Sequence, residues 1–389
     1  MHSRFPLRWL INLKGTPDML SAFIRGMVNK HILVNYDYYF KKGYSSRLKQ
    51  ISMKITNVCN LRCKMCGQWG EKGYNWGKPT TEIRETVPVE TYKKMIDDVK
   101  KYKPIYYIWG GEPFLYPGIL DVLKYLKKNK MITSIVTNGV KLEDNAKEIV
   151  EMGLDALMVS LDGPKEVHNE IRGDDRCFDT LIEGVKEVNR IKKELKKKKP
   201  YIMILSTISK DNVNHLDEIF EEAKKMHADI VIVYYSWFTT EQIGRKHEKI
   251  LKDGLGCTPV AWKGYLHSFE KIDVEKLQQK VRKIQNTKYP FIYLFIPNLK
   301  IEEIKEYYEK PSSMFGYGRC VSPWLTAEVM PNGDVAFCRD YPDFVIGNIN
   351  EDSLPTIFNS ERAKKFRETL KEKGGLFPIC ARCCGLMGW

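Results

Sequence analysis

Between residues 50 and 235, short runs rich in β-branched and aromatic residues alternate with amphipathic helical stretches, and this alternation constrains the fold more than any other feature. Strands joined by helical crossovers pair in parallel. Six strands are expected, near Ile51 to Ile55, Ile105 to Trp109, Thr133 to Thr137, Ala156 to Leu161, Tyr201 to Thr207 and Ile230 to Tyr234. Helices near Val89 to Tyr102, Gly118 to Asn129, Asp144 to Met152, Phe178 to Leu195 and Val213 to Met226 separate them. Six units rather than eight predict an open, partial (β/α)6 barrel of TIM type, with room inside for a sizeable substrate. Its chemistry should gather at the carboxyl ends of the strands.

Those ends carry distinctive residues. Cys59-Asn60-Leu61-Arg62-Cys63-Lys64-Met65-Cys66 follows the first strand, Gly110-Gly111-Glu112-Pro113 the second, Thr137-Asn138-Gly139 the third and Ser160-Leu161-Asp162-Gly163 the fourth. Three thiolates in one loop select zinc, copper(I) or an iron–sulfur cluster, and a 4Fe-4S cube held by three cysteines keeps one iron open. A structural zinc knuckle closes its shell with a fourth Cys or His. None lies close by, since His2, His31 and His168 are remote in sequence. The glycines at 110 and 111 would let backbone approach a ligand, and Glu112 would offer a carboxylate at the strand tip.

Eight of the ten cysteines fall within residues 59–66 and 320–384, which favours metal binding over a disulfide framework and a reducing compartment over an oxidising one. No apolar run approaches the ~20 residues of a membrane span, and the N-terminus lacks a signal-peptide pattern, so a cytoplasmic protein is expected. The net charge of +14 admits an anionic partner. Much of the excess lies in the run from Arg190 to Lys199, which reads as a solvated helix end. Without a nucleic-acid-binding signature, a metal-binding regulator is the disfavoured alternative and no nucleic acid partner is expected.

Residues 239–319 break the rhythm and read as an insertion or cap, with Trp262, His267 and helical segments near Val274 to Ile284 and Ile301 to Tyr308. Residues 320–389 form a second cysteine-bearing unit, Cys320-x17-Cys338 followed by Cys380-x2-Cys383-Cys384, with a turn at Met330-Pro331-Asn332-Gly333-Asp334. Such C-x2-C pairs suit zinc as well as iron. Cys177 and Cys257 stand alone as unliganded thiols. In the first fifty residues Phe5, Leu7, Trp9, Leu10 and Leu13 interleave with Arg4, Arg8 and Lys14, and Met19, Leu20, Phe23, Ile24, Met27 and Val28 recur at helical spacing beside Arg25 and Lys30. Such a basic amphipathic segment either lies in a membrane interface or packs on the open barrel.

The triad with Met65 before its last cysteine, followed one strand later by Gly-Gly-Glu-Pro, resembles the radical S-adenosylmethionine (SAM) superfamily from about Ser52 to Tyr235. The resemblance implies that Cys59, Cys63 and Cys66 hold a 4Fe-4S cluster whose open iron is chelated by SAM. It further implies that Gly110, Gly111, Glu112 and Pro113 bind the methionyl amino group, that Ser160 meets the SAM ribose or carboxylate, and that Arg172 faces its carboxylate. Glu112 and Arg172 would then touch SAM and not iron. The activity implied is reductive cleavage of SAM to a 5'-deoxyadenosyl radical that abstracts hydrogen from an unactivated C–H bond, with flavodoxin or ferredoxin as electron donor.

The C-terminal unit resembles the SPASM and twitch extensions of the same superfamily. Its five cysteines are fewer than the full SPASM pattern, which implies one auxiliary 4Fe-4S cluster held by Cys320, Cys338, Cys380 and Cys383, with Cys384 a spare thiol or alternative ligand. Four closing thiolates imply electron transfer, and hence oxidation or carbon–carbon bond formation. The expected substrate is a lipid or hydrocarbon chain, from the N-terminal segment and from Tyr234, Tyr235, Trp237 and Phe238 at the barrel mouth. Peripheral membrane contact goes with it. Maturation of a ribosomally made peptide and dehydrogenation of a small molecule are the alternatives. The expected organisation is an N-terminal helical segment (1–50), the barrel (51–238), the insertion (239–319) and a small α+β cluster-binding domain (320–389).

Overall fold

Each barrel strand alternates a face that packs on helices with a face that looks into the lumen, and residue type follows the face. The structure, a computed structural model, describes residues 17–266 and 272–387. Helices α1 (Pro17–Val28) and α2 (Val34–Phe40) precede β1 (Gln50–Lys54), α3 (Val89–Val99) and β2 (Ile105–Trp109). Then come α4 (Ile119–Lys128), β3 (Thr133–Thr137), α5 (Leu142–Glu151), β4 (Ala156–Ser160), α6 (Lys165–Arg172) and α7 (Cys177–Glu194). The chain continues through β5 (Tyr201–Thr207), α8 (Leu216–Lys225), β6 (Ile230–Tyr234), α9 (Glu241–Leu255), α10 (Val274–Asn286), β7 (Ile292–Ile296) and α11 (Glu303–Glu309). It closes with β8 (Thr326–Val329), β9 (Asp334–Ala336), β10 (Gly347–Asn348), α12 (Leu354–Phe358) and α13 (Glu361–Glu372).

The six expected strands form, in sequence order and in parallel, within a residue of the expected bounds. The full sheet is longer, in the order β10-β9-β8-β1-β2-β3-β4-β5-β6-β7. Segment 239–319, expected as a cap, therefore supplies a seventh parallel strand, with Ile230 paired to Ile292 and Tyr234 to Ile296. The C-terminal unit joins the same sheet, since β8 runs parallel to β1 with Gln50 opposite Thr326 and Met53 opposite Val329. Only β9 and β10 are antiparallel additions.

Ile51, Met53, Ile108, Ile135, Leu157, Val159, Ile204 and Val231 are fully buried on the helix-facing side. The alternate residues of β4 to β7, among them Met158, Met203, Leu205, Ile230, Ile232, Leu294 and Ile296, form a separate apolar cluster on the inner face. The inner face of β8, β1 and β2 is different in kind: Glu328, Ser52, Lys54, Tyr107 and Trp109 stand there. The lumen is thus apolar on one wall and charged and aromatic on the other.

No helix among the described residues is long and apolar enough to cross a membrane. Arg4, Phe5, Leu7, Arg8, Trp9, Leu10, Leu13, Lys14 and His267 lie outside the described residues.

Candidate active site

The cysteine loop begins where β1 ends, and parallel pairing with the β2 end continues past both strands. Ile55 N donates to Trp109 O (2.9 Å), Gly111 N to Thr56 O (2.8 Å) and Glu112 N to Val58 O (2.8 Å). A Cβ on Gly110 would lie 2.6 Å from Thr56 O, and one on Gly111 would lie 2.1 Å from Val58 O. These glycines therefore let the two loops meet, a reason the sequence reading, which set them against a ligand, did not contain. Gln68 Nε2 donates to Gly110 O (3.0 Å), binding the far end of the cysteine loop to the same turn.

Glu112 is likewise engaged internally. It is fully buried, with Oε1 accepting from Phe114 N (3.1 Å) and Thr137 Oγ1 (2.9 Å) and Oε2 from Asn138 N (2.8 Å). Burial, opposed by these donors, pushes its carboxyl up to about 7. Asn138 continues the tie, since its Nδ2 donates to Asn60 Oδ1 (2.9 Å) inside the triad loop. Glu112 thus couples the ends of β2 and β3, and through Asn138 the cysteine loop.

Within the triad Cys63 is buried and Cys59 and Cys66 are half-buried. Burial pushes the Cys59 thiol up to about 12 and, against the pull of Arg172, the Cys63 thiol up to about 11. A bound metal charge is what would make these groups thiolates. Arg62 lies 4.3 Å over the Trp69 ring, and its Nη1 donates to Cys59 O (2.9 Å), so the loop has a rigid aromatic frame.

Arg172 is held against the cysteine loop. Its Nη1 lies 3.7 Å from Cys63 Sγ, and its Nη2 is paired with the fully buried Asp162 carboxylate. It therefore touches the Cys63 thiol directly, a contact the SAM expectation neither required nor excluded. Asp162 Oδ1 also accepts from Thr207 N (3.2 Å), while Asp162 N donates to His168 Nδ1 (3.1 Å). Burial first, and then Arg172, hold His168 down to about 3, so that it stays a neutral acceptor. Neither Asp162 nor His168 was singled out by the sequence reading; the Ser-Leu-Asp-Gly turn was the only signal. Ser160, at the tip of β4, is half-buried on the inner face with Met158. Cys177 donates to Asn169 Oδ1 (3.3 Å) and Cys257 to Asp343 O (3.4 Å).

At the barrel mouth the aromatic set divides. Tyr235 and Phe238 are core residues packed against Tyr307, a correction to their expected place at the opening. Tyr234 and Trp237 remain half-buried.

Cys320, Cys338, Cys380 and Cys383 all line one cavity of about 560 Å³, open mouth included, beside Gln50, Thr326 and Glu328 of the sheet. The side chain of Cys384 lies outside the described set. Burial raises the thiols of Cys320, Cys338 and Cys380, the last to about 12. Four cysteines lining one cavity supply the donor set that an iron–sulfur cluster takes. Among the described residues no three His, Cys, Asp or Glu side chains draw together as a single metal ion requires. Gly333, at φ +90°, closes the β8–β9 hairpin that carries Cys338, with Gly333 N donating to Met330 O (2.9 Å).

A continuous wall joins the two cysteine sets. Arg339, next to Cys338, lies 4.3 Å over the Tyr107 ring and 5.8 Å over that of Trp109. Lys54 lies 5.9 Å over Trp109 from β1 and 4.9 Å over Tyr74 of the triad loop, donating to Tyr74 Oη (3.2 Å). Lys54 is 4% exposed and has no carboxylate partner among the described residues; burial first, then Lys78, lowers it to about 7.

Comparison with known proteins gives the family. Residues 53–223 match the radical SAM superfamily and residues 320–384 an iron–sulfur cluster-binding domain, SPASM. The chain is 25% identical over 354 residues to the tungsten-containing aldehyde ferredoxin oxidoreductase cofactor-modifying protein of Pyrococcus furiosus, covering 86% of this chain and 87% of that protein. It is 29% identical over 350 residues to the AdoMet-dependent heme synthase of Methanosarcina barkeri, covering 86% and 90%. Its fold resembles SuiB of Streptococcus suis bound to S-adenosylmethionine, with a TM-score of 0.61, 18% identity, and coverage of 88% of this chain and 74% of that one. The chain belongs to the radical SAM superfamily and carries a C-terminal SPASM domain, and its cofactors are S-adenosylmethionine, a 4Fe-4S cluster and auxiliary iron–sulfur.

Proposed function

We propose that this enzyme oxidatively modifies an organic substrate held in the lumen between the cysteine triad and the C-terminal cysteine cavity. The observation that carries this reading is the wall Arg339–Tyr107–Trp109–Lys54–Tyr74, which runs from beside Cys338 to the loop of Cys66. When bound at Cys59, Cys63 and Cys66, the cluster and SAM supply a 5'-deoxyadenosyl radical for hydrogen abstraction, with a flavodoxin- or ferredoxin-type protein as donor. The chain's residues do the rest. Arg172 and Asp162 orient Cys63, and Glu112 and Asn138 hold the β2 and β3 ends in place around it. Ser160 and the backbone of Gly110 and Gly111 are the groups proposed to meet SAM. Met158, Met203, Leu205 and Ile232 keep water from the opposite wall.

The auxiliary cysteine set, four thiols in one cavity, would hold one closed cluster, which would supply an electron acceptor for oxidation or carbon–carbon bond formation. The two-walled lumen suits an amphipathic molecule with an apolar body and an anionic group for Lys54. The relatives named as heme synthase and cofactor-modifying protein make a cofactor-type small molecule the favoured substrate; a ribosomally made peptide is the alternative. Anaerobic reconstitution should give about eight irons per chain, falling to about four when Cys59, Cys63 and Cys66 are replaced by Ala. With SAM supplied, dithionite should then yield 5'-deoxyadenosine with the intact protein and not with the triple variant. Small-molecule, peptide and lipid extracts of cells with and without the gene identify the substrate. Stoichiometric zinc in place of the second set of irons would end the electron-acceptor reading.

A second reading concerns location. Ile32, Tyr36, Tyr39 and Phe40 are exposed at 63%, 58%, 57% and 74%, beside Lys41 and Lys42. Such a patch suits the interface of an anionic membrane, where a lipid substrate would be met. Salt-sensitive binding to anionic vesicles supports it; indifference to vesicles at low salt removes it.

A further inference from the structure

Behind the auxiliary cysteines lies a second cavity of about 390 Å³, mouth included, which shares Cys338, Cys380 and Cys383 with the first. His247 is the one nitrogen-bearing side chain among its lining residues; Phe337, Phe344, Phe366, Phe377 and Ile379 make most of the rest. Helix α9 brings it there. Ile243, Gly244, His247, Leu251 and Leu255 form the buried face of that helix, which packs on the turn Pro378–Arg382 bearing Cys380 and on α13. The imidazole is 3% exposed, its ring centroid is 5.7 Å from that of Phe377 and 6.3 Å from that of Tyr341, and its Nδ1 is buried with no hydrogen-bond partner among the described residues.

A ring nitrogen beside three cysteines in an apolar chamber calls for a polar partner, and none of the described residues provides one. We propose that His247 donates a hydrogen bond to the sulfur shell of the auxiliary cluster held by Cys338, Cys380, Cys383 and Cys320, and so sets that cluster's reduction potential. Four thiolates already close the shell, which makes His247 a positioning residue rather than a ligand. A neutral imidazole carries one N–H, and burial keeps this ring neutral, holding it down to about 4. A hydrogen bond to cluster sulfur stabilises the more negative, reduced state, so the potential should be higher with His247 than without it. The inference rests on the four-cysteine cluster.

The test uses the full chain with Cys59, Cys63 and Cys66 replaced by Ala, so that only the auxiliary cluster is present. A redox titration followed by electron paramagnetic resonance compares this protein with versions that also carry His247→Phe or His247→Gln. The phenylalanine should lower the midpoint by at least about 59 mV, a tenfold change in the one-electron equilibrium. The glutamine, which keeps an N–H donor, should recover much of that shift at the same count of about four irons. Pulsed resonance on the reduced cluster with ¹⁵N-histidine should detect a weak nitrogen coupling that His247→Gln removes. An unchanged midpoint in His247→Phe, or no ¹⁵N coupling should that variant fail to hold iron, overturns the proposal. A triple-cysteine variant with no cluster at all overturns the ligand assignment and this inference with it.

Discussion

Arg172 and Glu112 both stand at strand or helix ends near the triad, yet burial gives them different work. Arg172 compensates Asp162, which is fully buried, and reaches Cys63. Arg172→Met would strand that carboxylate, and removing one partner of a buried pair costs about 3–5 kcal/mol. The variant should lose stability of that order in urea and hold less iron at the triad; an unchanged urea midpoint would contradict the pairing. Glu112 has its folded pKa raised by burial to about 7, above its ordinary 4.5. Between those values the folded state binds the extra proton, so Glu112's contribution to stability is present below about 4.5 and is lost as pH rises toward 7. At 1.36 kcal/mol per unit the loss is roughly 3 kcal/mol. The wild-type stability of the iron-free protein should therefore fall relative to Glu112→Gln between pH 5 and pH 7, a difference measured by urea denaturation. Glu328, raised to about 7 by burial, adds a slope of the same sign to both proteins and cancels in the comparison. Sequence named Arg172 and Glu112 as residues of interest, each in a motif beside the cysteine loop. It could not assign Asp162, His168 or Asn138, because short polar residues in turns are common and only the fold brings them to the cysteines.

At the scale of elements, the Gly110-Gly111 turn and the cysteine loop behave as one unit. A Gly111→Ala side chain would meet Val58 O at 2.1 Å, a backbone atom that cannot swing aside. The expected result is a displaced triad loop with iron reduced from about eight to about four per chain, measured by iron analysis, while the C-terminal cluster survives. Retention of full iron would show that the loops separate at little cost. The strand and helix bounds were legible because apolar periodicity is local: β2, β3, β5 and β6 coincide with the expected residues. β7 was not. Ile292 to Ile296 is a short apolar run inside a segment punctuated by Gly and Pro, and nothing local distinguishes a seventh barrel strand from a strand in a cap. The position of His247 in the auxiliary chamber was likewise invisible, since an isolated histidine on a helix face reads as core.

For the molecule as a whole, two regions that read as separate units in sequence share one ten-stranded sheet. β8 covers the edge of β1, and the cavity of the auxiliary cysteines is built partly from Gln50, Thr326 and Glu328 of those paired strands. Removing residues 320–389 should therefore expose a parallel edge and leave the barrel insoluble or unable to hold the triad's cluster. A truncated protein that stays monomeric with about four irons would show that the halves are independent. Sequence by itself determined the six strands β1 to β6 and, through the motifs that carry the family resemblance, the expected cofactors, because motif spacing and hydrophobic period are properties of contiguous residues. Tertiary structure alone decided that the sheet extends through β7 and β8, that Glu112 and Arg172 brace the loops, and that Lys54, Trp109 and Arg339 connect the two cysteine sets. Those relations pair residues up to 276 positions apart, as Gln50 and Thr326 are, and burial, edge pairing and unpaired polar groups exist only once such residues are brought into contact.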